Sequence, residues 1–267
     1  MPDIEADSPS AGASGPTAAA ESPLPALRVQ GLHKRYANTA ALDGLSLSIA
    51  PGESFGLAGL NGAGKTTLIK CLLDFCATDA GRIEIFGVHH RLTAARGRLA
   101  FLPERFIPPY YLTGRDFLRY TLTLYGVGYD AKRVGAMLAA LDLDPDALVK
   151  PVRAFSKGMT QKLGLAACLL SGRDLLVLDE PTSGLDPKSR ALLKRELSAL
   201  SHRGHTVFLT SHALADVEEI CDRMAVVHRG RLRFAGAPEE LKAAHGARTL
   251  EAAFLACIEG AGGDMAR

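Results

Sequence analysis

A short apolar segment, Ser54 to Ala58, runs straight into Gly59-Leu60-Asn61-Gly62-Ala63-Gly64-Lys65-Thr66, after which Leu68, Ile69, Leu72 and Leu73 recur at helical spacing. No other feature constrains this chain so tightly. The run fits G-x-x-x-x-G-K-[ST], a pattern that needs a strand before it and a helix after it, and both flanks are present. Glycines there let successive backbone N–H groups converge on phosphate oxygens, and the helix dipole favours an anion at the same end. Gly59, Leu60, Asn61, Gly62, Ala63, Gly64, Lys65, Thr66 and Thr67 are therefore the candidate nucleotide cradle. Lys65 is expected to reach the β and γ phosphates, and Thr66 to offer its hydroxyl to Mg²⁺.

A second apolar strand, Leu175 to Leu178, ends in Asp179-Glu180, and Pro181 then removes the next ladder donor. In a parallel sheet ligands gather beyond the carboxyl ends of the strands, so both acids should face the crevice that holds the glycine loop. Asp179 is placed to hold Mg²⁺ through water, and Glu180 to accept a proton from an attacking water. His212 follows another apolar strand, Thr206 to Thr210; it reads either as a structural histidine or as a contact to the γ phosphate. Leu45, Leu47 and Ile49 alternate with polar or small residues as in a half-buried strand, and Ile83, Ile85 and Leu99 to Leu102 read as further strands. Residues 105–172 carry 3.6-residue stripes, including Phe117, Leu118, Thr121 and Leu122, then Leu163, Ala166, Ala167 and Leu170. Strands separated by helices predict an α/β fold with a mostly parallel sheet, an α-helical insert and a closing hairpin at 225–235.

Charge and composition narrow the function. Lys and Arg number 31 against 29 Asp and Glu, a balance that gives little support to a nucleic-acid binder. Residues 1–26 hold Asp3, Glu5, Asp7 and Glu21 with no Lys or Arg, and five of the 14 prolines, so a disordered tail is expected there. Those acids are the opposite of a secretory leader, and no uncharged run is long enough to span a bilayer. A cytosolic chain with at most a peripheral membrane role follows. The five cysteines include no C-x-x-C pair and read as buried free thiols. His89 and His90 lack metal-binding spacing and read as a solvent-facing pair.

With the loop and the acids goes Phe155-Ser156-Lys157-Gly158-Met159, about 20 residues ahead of Asp179. It resembles a variant of the LSGGQ signature of the ATP-binding subunits of ABC transporters, agreeing at Ser156 and Gly158. Residue by residue, Ser156 is a helix N-cap candidate and the amides after it an anion site, or simply a capped helix. The resemblance covers about residues 27–236 and implies a P-loop NTPase core with an N-terminal antiparallel β part, leaving 237–267 as a C-terminal helical extension. It implies that Tyr36, otherwise an ordinary half-buried tyrosine, stacks on adenine. It also implies that Ser183-Gly184-Leu185-Asp186 is the loop crossing to a second subunit, with Asp186 near the nucleotide, and that His212 is a switch histidine. Glu104 stands where the family has a Mg²⁺-sensing glutamine, and Leu60 where it has proline.

By the same resemblance the subunit is an ATPase whose cofactors are ATP and Mg²⁺. Two copies pair head to tail, and a separate transmembrane permease is driven from the cytoplasmic face of the membrane, in an exporter-type subgroup. Phe106-Ile107-Pro108-Pro109-Tyr110-Tyr111, apolar and broken by two prolines, reads either as a docking loop for that permease or as a segment folded back onto the helical insert. A soluble ABC-type ATPase outside transport, and a P-loop kinase with the insert as substrate lid, are the alternatives.

Overall fold

The computed structural model describes residues 24–260, built in the order β1 (Leu27–Tyr36), β2 (Thr39–Ile49), β3 (Ser54–Ala58), α1 (Lys65–Leu72), β4 (Ala80–Ile85) and β5 (Val88–His89). Then come α2 (Thr93–Arg96), β6 (Leu99–Leu102), α3 (Gly114–Leu124), α4 (Ala131–Ala140), α5 (Lys157–Leu170), β7 (Leu175–Asp179) and α6 (Pro187–His202). The chain continues with β8 (Thr206–Thr210), α7 (Leu214–Ile220), β9 (Arg223–His228), β10 (Arg231–Gly236), α8 (Pro238–Ala244) and α9 (Leu250–Glu259). Two sheets result: an antiparallel one ordered β2-β1-β4-β5, and a larger one ordered β10-β9-β3-β8-β7-β6.

In the larger sheet every neighbouring pair from β9 to β6 is parallel, and β10 closes it as an antiparallel hairpin with β9. The central strands are short and apolar throughout because both faces are covered. Side chains two apart point the same way, and the two cores sort accordingly. Leu176 and Leu178 of β7 and Val207 and Leu209 of β8 pack with the helical insert and the C-terminal helices. Leu175, Val177 and Phe208 pack on the other face with α1 and the antiparallel sheet. Parallel strands also send their carboxyl ends to one edge, so the segments after β3, β6, β7 and β8 emerge side by side.

Several expectations are corrected. His90 is buried, with its ring Nδ1 3.2 Å from the Ile83 carbonyl, so the His89–His90 pair is not solvent-facing as a whole. Its neighbour strand brings it inward: β4 and β5 pair antiparallel and fold the second imidazole against the sheet. Residues 1–23 of the expected tail, and 261–267 of the C-terminal extension, lie outside the described residues. Ala26, inside that expected tail, is buried and its N–H donates to Ile49 O at 2.8 Å. Residues 105–113 form no helix, and the insert's first helix starts at Gly114, capped by the Thr113 hydroxyl. The stripe read on α5 suggested one apolar face, yet Gln161 to Leu170 are buried all round. Gly164 permits this, since a Cβ there would come within 2.7 Å of the Leu102 side chain. The two buried polar groups are paired, Gln161 Nε2 to Pro181 O and Lys162 Nζ to Asp142 O.

Candidate active site

The loop after β3 turns into α1 through Gly64, whose φ of 113° and lack of side chain are both required: a Cβ would sit 2.5 Å from Ala41 O. Gly59 is equally confined, because a Cβ there would meet Val227 O at 2.5 Å. Sequence pattern thus becomes geometry through close backbone approach. Gly64 caps α1 with no side-chain hydrogen bond, so the helix presents uncapped N–H groups and its positive dipole end to the loop's concavity.

That concavity is a cavity of about 490 Å³ lined by Ala41, residues 60–67, Glu104, Asp179, Glu180 and His212. Every expected cradle residue except Gly59 is joined there by the two acids after β7, the acid after β6 and the histidine after β8. Lys65 Nζ donates to its own loop, 2.6 Å to Gly59 O and 3.4 Å to Leu60 O. Burial pulls its ammonium below the ordinary lysine range, against the opposing fields of Glu180, Asp179 and Glu104. A phosphate oxygen offers the same ammonium a charged acceptor, which is a stronger partner than a carbonyl.

Asp179 and Glu180 are held by one side chain that sequence reasoning does not single out. Thr210 Oγ1 donates to Asp179 Oδ1 at 2.5 Å and accepts from the Glu180 N–H at 3.0 Å. The available signal is register: Asp179 stands opposite Thr210 in the parallel β7–β8 ladder. Burial raises the Asp179 carboxyl above the usual carboxylate range, the Thr210 bond opposes the rise, and Glu104 adds to it. Glu180 is buried and adopts φ 51°, a left-handed backbone that costs a non-glycine residue about 1–2 kcal/mol. His212 reaches over it, with Nδ1 2.7 Å and the backbone N 3.3 Å from Glu180 Oε2. Both contacts fall on one carboxylate oxygen; Oε1 makes no protein hydrogen bond among the described residues.

The remaining expected residues lie elsewhere. Tyr36, exposed at the end of β1, donates its hydroxyl to Cys76 Sγ at 3.6 Å and is outside the cavity lining. Ser156 is exposed at the N-terminus of α5, its Oγ accepting from the Met159 N–H at 3.2 Å. Gly158 approaches the neighbouring loop, where a Cβ would be 3.1 Å from Gly184 O. Asp186 caps α6, accepting from the Ser189 N–H and hydroxyl, and these bonds hold its carboxyl at about 2. Glu104 borders a second cavity of about 420 Å³ with Lys157, Thr160, Gln161 and Ser183, and so links the nucleotide side to the Ser156 side.

A parallel sheet whose strand ends gather a glycine loop, a lysine, paired acids and a histidine around one cavity defines a phosphate-loop nucleotide-binding protein. Residues 42–183 match the family described as ABC transporter, and the chain belongs to that family. It is 38% identical over 230 residues to Nod factor export ATP-binding protein I of Paraburkholderia xenovorans, covering 82% of this chain and 73% of that one. It is 40% identical over 225 residues to daunorubicin resistance ATP-binding protein DrrA3 of Streptomyces coeruleorubidus, covering 83% and 71%. An ABC transporter ATP-binding protein of Synechocystis is 40% identical over 205 residues, and this chain spans 58% of its length. A solved structure of an ATP-binding subunit of an ABC transporter superposes with a TM-score of 0.79 at 28% identity, over 86% of this chain and 98% of that chain.

Proposed function

We propose that this chain binds and hydrolyses ATP as the energising subunit of a membrane exporter, two copies closing around the nucleotide. The observation that carries the reading is the convergence of Lys65, Thr66, Asp179 and Glu180 on one cavity of about 490 Å³. The export direction is supported by the relatives' names, one an export and one a drug-resistance ATP-binding protein.

In this reading the amides of Gly62 to Thr66 and the Lys65 ammonium hold the β and γ phosphates, and Asn61 and Thr67 complete the cradle. Thr66, Asp179 and Glu104 offer only oxygen donors, the donor set Mg²⁺ takes with few protein ligands, and bound Mg²⁺ neutralises charge on the phosphates. Three carboxylates face one ammonium in the cavity, an excess of negative charge that a divalent cation would offset. Glu180 takes the proton of the attacking water on Oε1, while His212 holds Oε2 and so fixes the carboxylate's orientation. Tyr36 takes the adenine ring. Ser156 and Gly158 of one copy close over the nucleotide held by Lys65 of the other, and Asp186 keeps the crossing loop in shape by capping α6.

The kinase alternative needs the insert to act as a lid, but no residue of α3, α4 or α5 lines the nucleotide cavity. For the membrane partner, the segment after Glu104 is divided: Phe106 packs on Phe117 with ring centroids 5.6 Å apart, whereas Ile107, Tyr110 and Tyr111 are 86%, 66% and 68% exposed. Those three side chains form the docking patch for a transmembrane subunit. No helix among the described residues is long and apolar enough to cross a membrane.

Phosphate release from Mg-ATP, followed as a function of protein concentration, tests the reading. A paired site gives specific activity that rises with concentration before it levels; specific activity independent of dilution, unaffected by loss of Ser156, would point to a site complete within one chain.

A further inference from the structure

Two of the five cysteines, unremarkable in sequence, are brought together at the end of α1. Cys71 is fully buried in the last turn of the helix and Cys76 is half-buried beyond it, with their sulfurs 3.5 Å apart. The turn between them is set by the backbone: Asp74 has φ 61°, and the N–H groups of Phe75 and Cys76 both donate to Lys70 O, at 2.8 and 3.3 Å. The half-buried sulfur also accepts from the Tyr36 hydroxyl at 3.6 Å. One thiol is thus reachable, a second waits behind it, and the first touches Tyr36 at the end of β1. Burial pushes the Cys71 thiol up to about 12, so the half-buried Cys76 is the thiol that meets an oxidant first, and Cys71 must give up its proton as it attacks.

We propose that Cys71 and Cys76 are a peroxide-sensitive dithiol whose closure to a disulfide lowers ATP affinity through Tyr36. The effect on affinity rests on the reading of Tyr36 as the adenine-facing residue; the oxidation itself does not.

The Cys76 sulfur attacks one oxygen of hydrogen peroxide, the O–O bond breaks, and the departing hydroxide takes up the thiol proton as one water, leaving a sulfenic acid on Cys76. The Cys71 sulfur then attacks the Cys76 sulfur, the S–O bond breaks, and the Cys71 proton leaves with the hydroxyl as a second water. Two thiols are oxidised by two electrons and one peroxide is reduced. The sulfurs must close from 3.5 Å to a bonding distance of about 2.05 Å, and the movement draws Cys76 away from the Tyr36 hydroxyl. Tyr36 then loses the contact that fixes its ring.

Lys70 and Arg82 flank the pair, so trypsin releases both cysteines in one peptide. The full chain is treated with hydrogen peroxide, remaining thiols are alkylated, and that peptide is weighed while ATP affinity is measured by calorimetry. The expected result is a peptide lighter by two hydrogen atoms, resistant to alkylation, with ATP bound about fivefold more weakly and both changes reversed by dithiothreitol. Cys71→Ser should leave a sulfenic acid on Cys76 that dimedone traps. Cys76→Ser, at the half-exposed position, should abolish the response of ATP affinity to peroxide. Two alkylatable cysteines after treatment, or a persistent dimedone adduct on Cys76 in the unsubstituted chain, would overturn the dithiol. A disulfide that leaves ATP affinity unchanged would overturn the link through Tyr36. Lys65→Ala measured alongside separates these failures from failure of the nucleotide site itself.

Discussion

Two helix N-termini in this molecule face solvent with the same task in the proposed mechanism, and they are built differently. At α1 the cap is Gly64 in a left-handed conformation, with no side-chain acceptor, so the first amides have nothing of the protein's own to bond. At α5 the cap is Ser156 in an extended conformation, and its hydroxyl already accepts from the Met159 N–H. The first terminus also has a lysine folded over it and acids converging beneath. The second has an exposed Lys157 whose stem lies along Gly184, and Gly158 beside the Gly184 carbonyl. An uncapped cradle with a lysine folded over it can hold a triphosphate alone; a terminus whose own cap already takes one amide has less pull on an anion. On these grounds one side would carry binding, and the other would act only when a second copy presents a nucleotide already held.

Substitutions on the two sides should therefore separate cleanly. The largest effect is expected from Glu180→Gln, with turnover lower by about 10²–10⁴ and ATP binding retained, since only the proton acceptor is lost. Phosphate release and gel filtration with Mg-ATP read this out together: a slow enzyme that elutes at twice the mass is expected, and one that binds ATP yet stays a monomer would break the comparison. Next comes Lys65→Ala. Removing a charge-assisted bond to phosphate should weaken ATP by roughly tenfold to a hundredfold in calorimetry, and unchanged affinity would remove the loop from the site.

Ser156→Ala should do the reverse. ATP affinity of the single chain stays as it was, activity loses its dependence on concentration, and loss of the cap costs about 1 kcal/mol, a fall of roughly 2–4 °C in Tm. A drop in single-chain ATP affinity would instead place Ser156 in its own chain's pocket. The smallest effect belongs to Asp179→Asn without nucleotide or Mg²⁺. Burial raises the Asp179 carboxyl in the folded chain above its unfolded value, so above both values the ionised group opposes folding. As pH falls below the unfolded value of about 3.9 the acid is protonated in both states and the penalty disappears. The amide substitution should therefore raise Tm by about 1–2 °C at pH 7 and bring no gain at a pH of about 3, because the Thr210 bond can be kept by the amide oxygen. Thermal unfolding of both chains at the two pH values checks this, and an equal shift at both would mean that the carboxylate's charge is not the cause.

The parts of the site that sequence made legible are those whose chemistry is local. Gly59 to Thr66 announces itself by spacing between its own strand and helix, although Val227 and Ala41 are what crowd its glycines, and Leu175 to Glu180 needs only to be a central strand. The alternation of Leu45, Leu47 and Ile49 likewise survives as alternating burial in β2. What was not legible depends on who stands next to whom. Thr210 reads as the last residue of a strand until register sets it against Asp179. Cys71 and Cys76 read as two of five isolated thiols until a left-handed Asp74 turns the chain back. His90 reads as polar surface until β5 pairs with β4. The strand β1 carries no clean alternation because its pairing with β2 shifts register three times, which breaks the period that a reader of the sequence would count.

The phosphate loop, the acid pair and the alternation of strands and helices are written in the amino-acid order alone, because each follows from short-range sterics, periodicity and spacing along one stretch of chain. Tertiary pairing alone sets which strand ends share an edge, that Thr210 ties the Asp179 carboxylate to the Glu180 backbone N–H, that His212 takes a single oxygen of Glu180, and that two thiols meet beside Tyr36. The side-chain contacts among them join residues 5 to 40 positions apart. They are fixed by the strand order and by how the chain turns after a helix, and neither is written in any one stretch of the sequence.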